Sequence, residues 1–189
     1  MPALSVTKQS VYVFWLHYAR FYHIQREFYT LGHTVEEYHM IASLAFEHGF
    51  NPGLRSSSPG EMTFLHVAVE QYHNLLLETI SLFKKYNVDF NAVRGNGQSV
   101  FEVAIQWGAS STVLENLIQA GCILPTNESR QNVLHMACKY CNLSAVKYFV
   151  EQFEFKVNKA CKRGYTPLHY AVASSADVIH FKSEAYLFK

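Results

Sequence analysis

Gly164-Tyr165-Thr166-Pro167-Leu168-His169-Tyr170-Ala171 decides how this chain of 189 residues is read. Thr166 is placed to cap a helix, and Pro167 falls in the first turn, where its missing N–H leaves no bond unmade. The Thr166 hydroxyl can also reach the imidazole of a Thr-x-x-His pattern. One such run could arise by chance, so recurrence is the test. Upstream stand Leu134-His135-Met136-Ala137, then Phe101-Glu102-Val103-Ala104, then Leu65-His66-Val67-Ala68. The interval between successive copies stays close to one value, roughly 33–36 residues, as in a repeat array. Four copies at nearly one period predict stacked units, each too small to bury its own apolar face.

In each copy a small residue (Ala68, Ala104, Ala137, Ala171) lets neighbouring first helices approach. A larger one (Leu65, Phe101, Leu134, Leu168) fills the space between layers. Helix pairs are expected at residues 63–72 and 75–86, at 100–107 and 112–119, and at 132–140 and 143–153. Thr63, Asn74 and Asn142 are their candidate caps. A fourth pair starts at Pro167 and continues with a short helix at 176–181. In the second copy Ser99-Val100 stands for Thr-Pro and Glu102 for the histidine, making it the most degenerate.

Upstream, residues 11–29 are dense in aromatics, with Phe14, Phe21 and Phe28 seven apart, which fits a helix with a broad apolar face. Thr34-Val35-Glu36-Glu37 reads as a capping box for a helix over 35–47, with Tyr38, Ile41, Ala42 and Ala45 on one face. Residues 51–60, NPGLRSSSPG, are the most linker-like stretch and mark a boundary. The expected organisation is an N-terminal helical pair at 1–59, or a diverged first repeat. Repeats follow at about 60–93, 94–126, 127–160 and 161–189, the last truncated or capping.

The Thr-Pro-Leu-His-x-Ala run and its spaced copies resemble the ankyrin-repeat family, well over residues 60–181 and loosely over 11–59. The resemblance implies an all-α solenoid: a curved stack of helix-turn-helix units with β-hairpin fingers along one side. It further implies a non-catalytic scaffold, an adaptor or inhibitor, that binds another protein through its concave face and hairpin tips. Carried onto this chain, the contact positions are Met62, Glu70, Gln71, Asn96, Gln98, Gln106, Trp107, Ser129, Gln131, Lys139, Tyr140, Lys162, Arg163 and Tyr165. Trp107 and Tyr140 are the large aromatic anchors such interfaces favour, or else neighbours packed on each other in the stack. The alternative is a stack that serves as targeting module for an N-terminal effector module, or a fragment of a larger multidomain protein.

Composition narrows the field. Net charge is +1, which gives no global bias toward nucleic acid, and no stretch reaches the length of a membrane span. Four cysteines are too few for a disulfide scaffold, so a cytoplasmic or nuclear protein with reduced thiols is expected. Nothing matches a nucleophile elbow, a phosphate-binding loop or a zinc-protease helix, and no cofactor, metal or small-molecule substrate is expected. His66, His135 and His169 could suggest metal ligands. Adjacent helices lie about 8–10 Å apart, however, whereas a zinc–nitrogen bond is about 2 Å, so equivalent histidines cannot share an ion. Cys138-Lys139-Tyr140-Cys141 could be half of a zinc or redox site. Alternatively Cys138 takes a small helix position, and Cys141 replaces the glycine that ends the helix, as Gly108 does one repeat earlier. Lys84-Lys85 and Lys159 with Lys162-Arg163 are small basic spots, read as a solvated face or as contacts for an acidic or phosphorylated partner.

Overall fold

The computed structural model describes residues 35–51, 53, 55, 60–71, 77–127 and 129–174. Among them run α1 (Val35–Glu47), α2 (Phe64–Gln71), α3 (Leu77–Lys85), α4 (Val100–Gln106), α5 (Ser111–Gln119), α6 (Val133–Lys139) and α7 (Leu143–Glu151). A last helix, α8, covers residues 167–174. The aromatic helix expected at 11–29, the capping box at Thr34, the Asn74 cap and the helix expected at 176–181 lie outside the described residues. No strand forms among the described residues. Three hairpins are each closed by a single antiparallel bridge, at Arg55 with Thr63, Val93 with Ser99, and Thr126 with Asn132.

Two rows of helices result, one of α2, α4 and α6, the other of α1, α3, α5 and α7. The expected all-α solenoid is the observed fold. Its alanines explain the tight inner row: Ala68, Ala104 and Ala137 are fully buried, with Leu65, Phe101 and Leu134 beside them. The core changes character along the stack. Where α1 meets α2 and α3 it is aromatic, with Phe46, Phe64 and Phe83 in edge contact and Phe46 stacked on Tyr86 at 4.8 Å. Its middle is aliphatic, built on Val100, Val103, Ile105, Leu114 and Leu117. Aromatics return around Phe149, which touches Phe101, Phe153 and Phe155. Through Phe46, helix α1 joins the outer row in line with α3, so the stack extends upstream of residue 60.

The first-helix caps use three different chemistries for one task. Thr63 pairs with His66, Asn132 with His135, and Ser99 with Glu102 in a full capping box. Glu102 in the histidine's place therefore still satisfies the helix start. The ends of the inner helices are equally regular. Gly108 at φ +79° and Cys141 at φ +53° occupy the left-handed turn after α4 and α6. Cys141 thus does stand in for the glycine, in a backbone region that costs a non-glycine residue about 1 kcal/mol or more.

Asn142 ties two repeats together. Its Oδ1 accepts from the Ala145 N–H at 3.0 Å, capping α7, while its Nδ2 donates to the carbonyls of Ile105 and Ala109, both at 3.2 Å. Asn142→Ala removes a cap and takes a donor from two carbonyls, of which that of Ile105 keeps the Gly108 N–H, so it should destabilise the chain by about 2 kcal/mol. Urea unfolding followed by circular dichroism measures this. A loss below about 0.5 kcal/mol, the range of an ordinary surface substitution, would mean that water replaces the bridge.

One expectation fails at the last layer. By its motif position Leu168 should fill interlayer space like Leu65 and Leu134, yet it is 70% exposed, and Val172 one turn on is 65% exposed. An inner-row residue is buried by the next helix in the row, and no described helix follows α8.

Candidate protein-binding face

Three hairpin fingers repeat one geometry. The N–H groups of Arg94, Asn127 and Cys161 donate to the carbonyls of Gln98, Gln131 and Tyr165, and those of Gly97, Arg130 and Gly164 return to the carbonyls of Arg94, Asn127 and Cys161. The tip residues Gly97, Arg130 and Gly164 all have positive φ. Successive fingers are tied by backbone bonds, Gly95 N–H to the Gly60 carbonyl at 2.7 Å and Lys162 N–H to the Ser129 carbonyl at 2.9 Å. At the first tie the approach is so close that a Cβ on Gly95 would sit 3.3 Å from the Gly60 oxygen. The expected hairpin tip at Gly95-Asn96-Gly97 is therefore present, and, counting fingers from the one closed by Arg55 and Thr63, the first is tied to the second and the third to the fourth.

Beneath the fingers a polar network runs across repeats, centred on Arg94. Its guanidinium reaches the Gln98 side chain, Asn96 at 3.2 Å, Gln106 at 3.5 Å, the Met62 sulfur at 3.6 Å and the Glu70 carboxylate at 3.8 Å. Gln98 then donates to Gln106 at 3.0 Å and to the Tyr140 hydroxyl at 3.4 Å, in the following repeat. One repeat further, Gln131 donates to the Tyr170 hydroxyl. A half-buried guanidinium with this many acceptors has few other geometries open to it.

The sequence-predicted contact residues divide accordingly. Asn96, Gln98, Gln106 and Tyr140 are gathered by the network, while Gln131 belongs to the Tyr170 pair. Trp107 (42% exposed) and Tyr165 (49% exposed) face solvent, as do Lys139, Lys162 and Arg163. Ser129 is half-buried, its carbonyl holding the next finger. Met62 and Glu70 do not belong to the exposed set: both are buried, at 4% and 6%, because Arg94 folds over them. The Gln71 side chain lies outside the described residues. Sequence reading missed Arg94 and Tyr170. Arg94 opens its finger as Asn127 does the next, and Tyr170 occupies the variable position of the Thr-Pro-Leu-His-x-Ala run.

The histidines are occupied structurally. Thr63 donates to His66 Nδ1 through both its N–H (3.3 Å) and its hydroxyl (2.8 Å). The ring proton is thus on Nε2, which donates to the Gln98 carbonyl of the next finger at 3.3 Å. Burial holds the His66 pKa down at about 4, helped by the charges of Arg94 and Arg55 and opposed by the Gln98 bond. His135 likewise reaches the next finger, with Nε2 at 3.3 Å from the Tyr165 carbonyl, and burial lowers its pKa as well. His169 Nδ1 meets the Thr166 hydroxyl at 2.7 Å. Among the described residues no three His, Cys, Asp or Glu side chains are grouped to hold a metal ion.

The four cysteines are free thiols. Cys122 donates to the Phe90 carbonyl, and burial pushes its pKa up to about 12, so it packs as a neutral group. Burial raises the Cys138 thiol too, followed by the influence of Cys141. That is opposite to the activation a redox cysteine needs. No described helix is long and apolar enough to cross a membrane.

Comparison with known proteins agrees with this architecture. Residues 101–181 match the family model for ankyrin repeats, in three copies. Over 119 residues, 62% of the chain, the sequence is 27% identical to alpha-latrotoxin-Lg1a of Latrodectus geometricus, of whose length the chain spans 9%. Ankyrin repeats are generally protein-interaction modules and typically non-catalytic. The spaced Leu-His-x-Ala cores, the twin helix rows, the bridged fingers and the match over residues 101–181 together identify an ankyrin-repeat solenoid within this chain.

Proposed function

We propose that the chain is a non-catalytic scaffold, an adaptor or inhibitor, that binds a partner protein across its fingers and the adjoining ends of the inner helices. One observation carries the reading. Trp107 and Tyr140 occupy the same position, the C-cap of α4 and of α6, and Tyr140 is held there by Gln98 from the preceding repeat. Pre-organised aromatics lose little entropy on binding and are favoured interface anchors. Asn96, Gln98, Gln106, Ser129, Gln131, Lys139, Lys162, Arg163 and Tyr165 form the polar surround in this reading, while Met62 and Glu70 support it from below. Free thiols at Cys122, Cys138, Cys141 and Cys161 suit the reducing cytoplasm or nucleus. Repeat boundaries near residues 60, 94, 127 and 161, with α1 as outer helix of a diverged earlier repeat, fit the same picture.

The test is affinity capture from cell lysate with the wild-type chain and a Trp107→Ala, Tyr140→Ala double variant, both checked for folding by circular dichroism. The expected outcome is a protein held by the wild type and at least about 30-fold depleted by the folded variant, as loss of about 2 kcal/mol from the pair together implies. Equal capture by both would remove the aromatic pair from the interface.

A further inference from the structure

Charge is divided along the stack. Residues 60–126 carry three lysines and arginines against six acids, whereas residues 127–174 carry seven against three. The excess is displayed rather than buried: Arg130, Lys139, Lys159, Lys162 and Arg163 are all exposed. None of them forms an ion pair among the described residues, where the pairing seen is Arg94 with Glu70.

Placement concentrates these charges. The bond from Lys162 N–H to the Ser129 carbonyl puts the third and fourth fingers side by side, so Arg130 lies beside Lys162 and Arg163 on neighbouring tips. Lys139 ends α6 with its ammonium 5.2 Å from the Tyr140 ring centroid, which holds it on the face beneath those tips. Tyr165, half exposed, belongs to the fourth finger itself, where its carbonyl accepts from the Cys161 N–H. We propose that this basic, tyrosine-lined corner docks an acidic segment of the partner protein, with Arg130, Lys162 and Arg163 binding its carboxylates. This rests on the scaffold reading above and adds the chemistry of the partner. Charge complementarity favours it, since exposed cations with no ion pair among the described residues gain most from a partner's carboxylates. A long phosphate backbone fits less well, because the row of fingers continues into the acidic half of the stack, where it would be repelled.

Fluorescence anisotropy on the full chain tests it. The probes are a labelled peptide alternating glutamate with serine, its glutamine twin, an oligothymidylate, and vesicles containing phosphatidylserine. The acidic peptide should bind the wild type at low salt, bind about tenfold or more weakly to Arg130→Glu/Lys162→Glu/Arg163→Glu, and weaken as salt rises. Lys84→Glu/Lys85→Glu, on α3, should bind it like the wild type. The inference is overturned if the acidic peptide does not bind, if the glutamine twin binds equally, or if charge reversal has no effect in a variant that melts like the wild type. Tighter binding of the oligonucleotide or the vesicles overturns it as well. If the reversal variant still captures the lysate protein that the Trp107/Tyr140 variant loses, the scaffold reading stands and the acidic-segment inference falls.

Discussion

Phe101→Ala should lower the unfolding free energy by about 3–5 kcal/mol. Phe101 is 1% exposed and lies in the middle of the stack, on α4 between α2 and α6, with its ring 6.2 Å from that of Phe149 on α7. Its truncation therefore opens a cavity bordered by three repeats, and helices held on several sides cannot collapse into it. The structure supplies its own control. Leu168 holds the equivalent place in the last described unit but is 70% exposed, so Leu168→Ala should change stability by less than about 0.5 kcal/mol. Urea unfolding of both variants decides the matter. A similar loss at the two sites would mean that α8 is covered in solution, and a small loss at Phe101 would mean that the repeats unfold independently of their shared core.

Acid should destabilise the chain well before its carboxylates are neutralised. His66 is fully buried with its pKa held at about 4, against 6.5 when unfolded, chiefly because burial disfavours its charged form. Between those values the unfolded chain binds a proton that the folded chain refuses, so stability falls as pH drops from about 6.5 toward about 4. Above about 6.5 the contribution is flat. The full effect is on the order of 3 kcal/mol, and His135 adds in the same direction. His66→Gln should be less stable than wild type near neutral pH, because the bridge from Thr63 to Gln98 is broken. Its stability should nevertheless fall less steeply with acid. Denaturation midpoints taken between about pH 7.5 and about pH 4.5 compare the slopes. Parallel curves for the two proteins would show that a buried neutral imidazole at residue 66 does not govern the acid response.

Much of the candidate face was legible in the sequence because it is periodic. Asn96 and Ser129 recur one repeat apart, as do Trp107 and Tyr140, so once the register is known their position in the stack follows. What periodicity could not tell was exposure. Met62 and Glu70 occupy formally outward positions, yet a single long side chain from the next finger covers both. Arg94 is one of 16 basic residues, and nothing in its local context marks it as a hub. Its partners come from its own repeat and from the one before it.

The sequence by itself determined the repeat, its helices and its caps, since these depend on near neighbours along the chain. Ser99 with Glu102, and Asn142 with Ala145, satisfy a helix start wherever the unit happens to be packed. Only the tertiary structure decided which side chains meet between units: Asn142 with Ile105, His66 with Gln98, Gln98 with Tyr140, and Arg94 with Glu70. It also decided that Leu168, identical in motif position to Leu65 and Leu134, faces solvent. Local hydrogen bonding repeats with the sequence, whereas burial depends on what stacks above and below, and a motif carries no record of its neighbours.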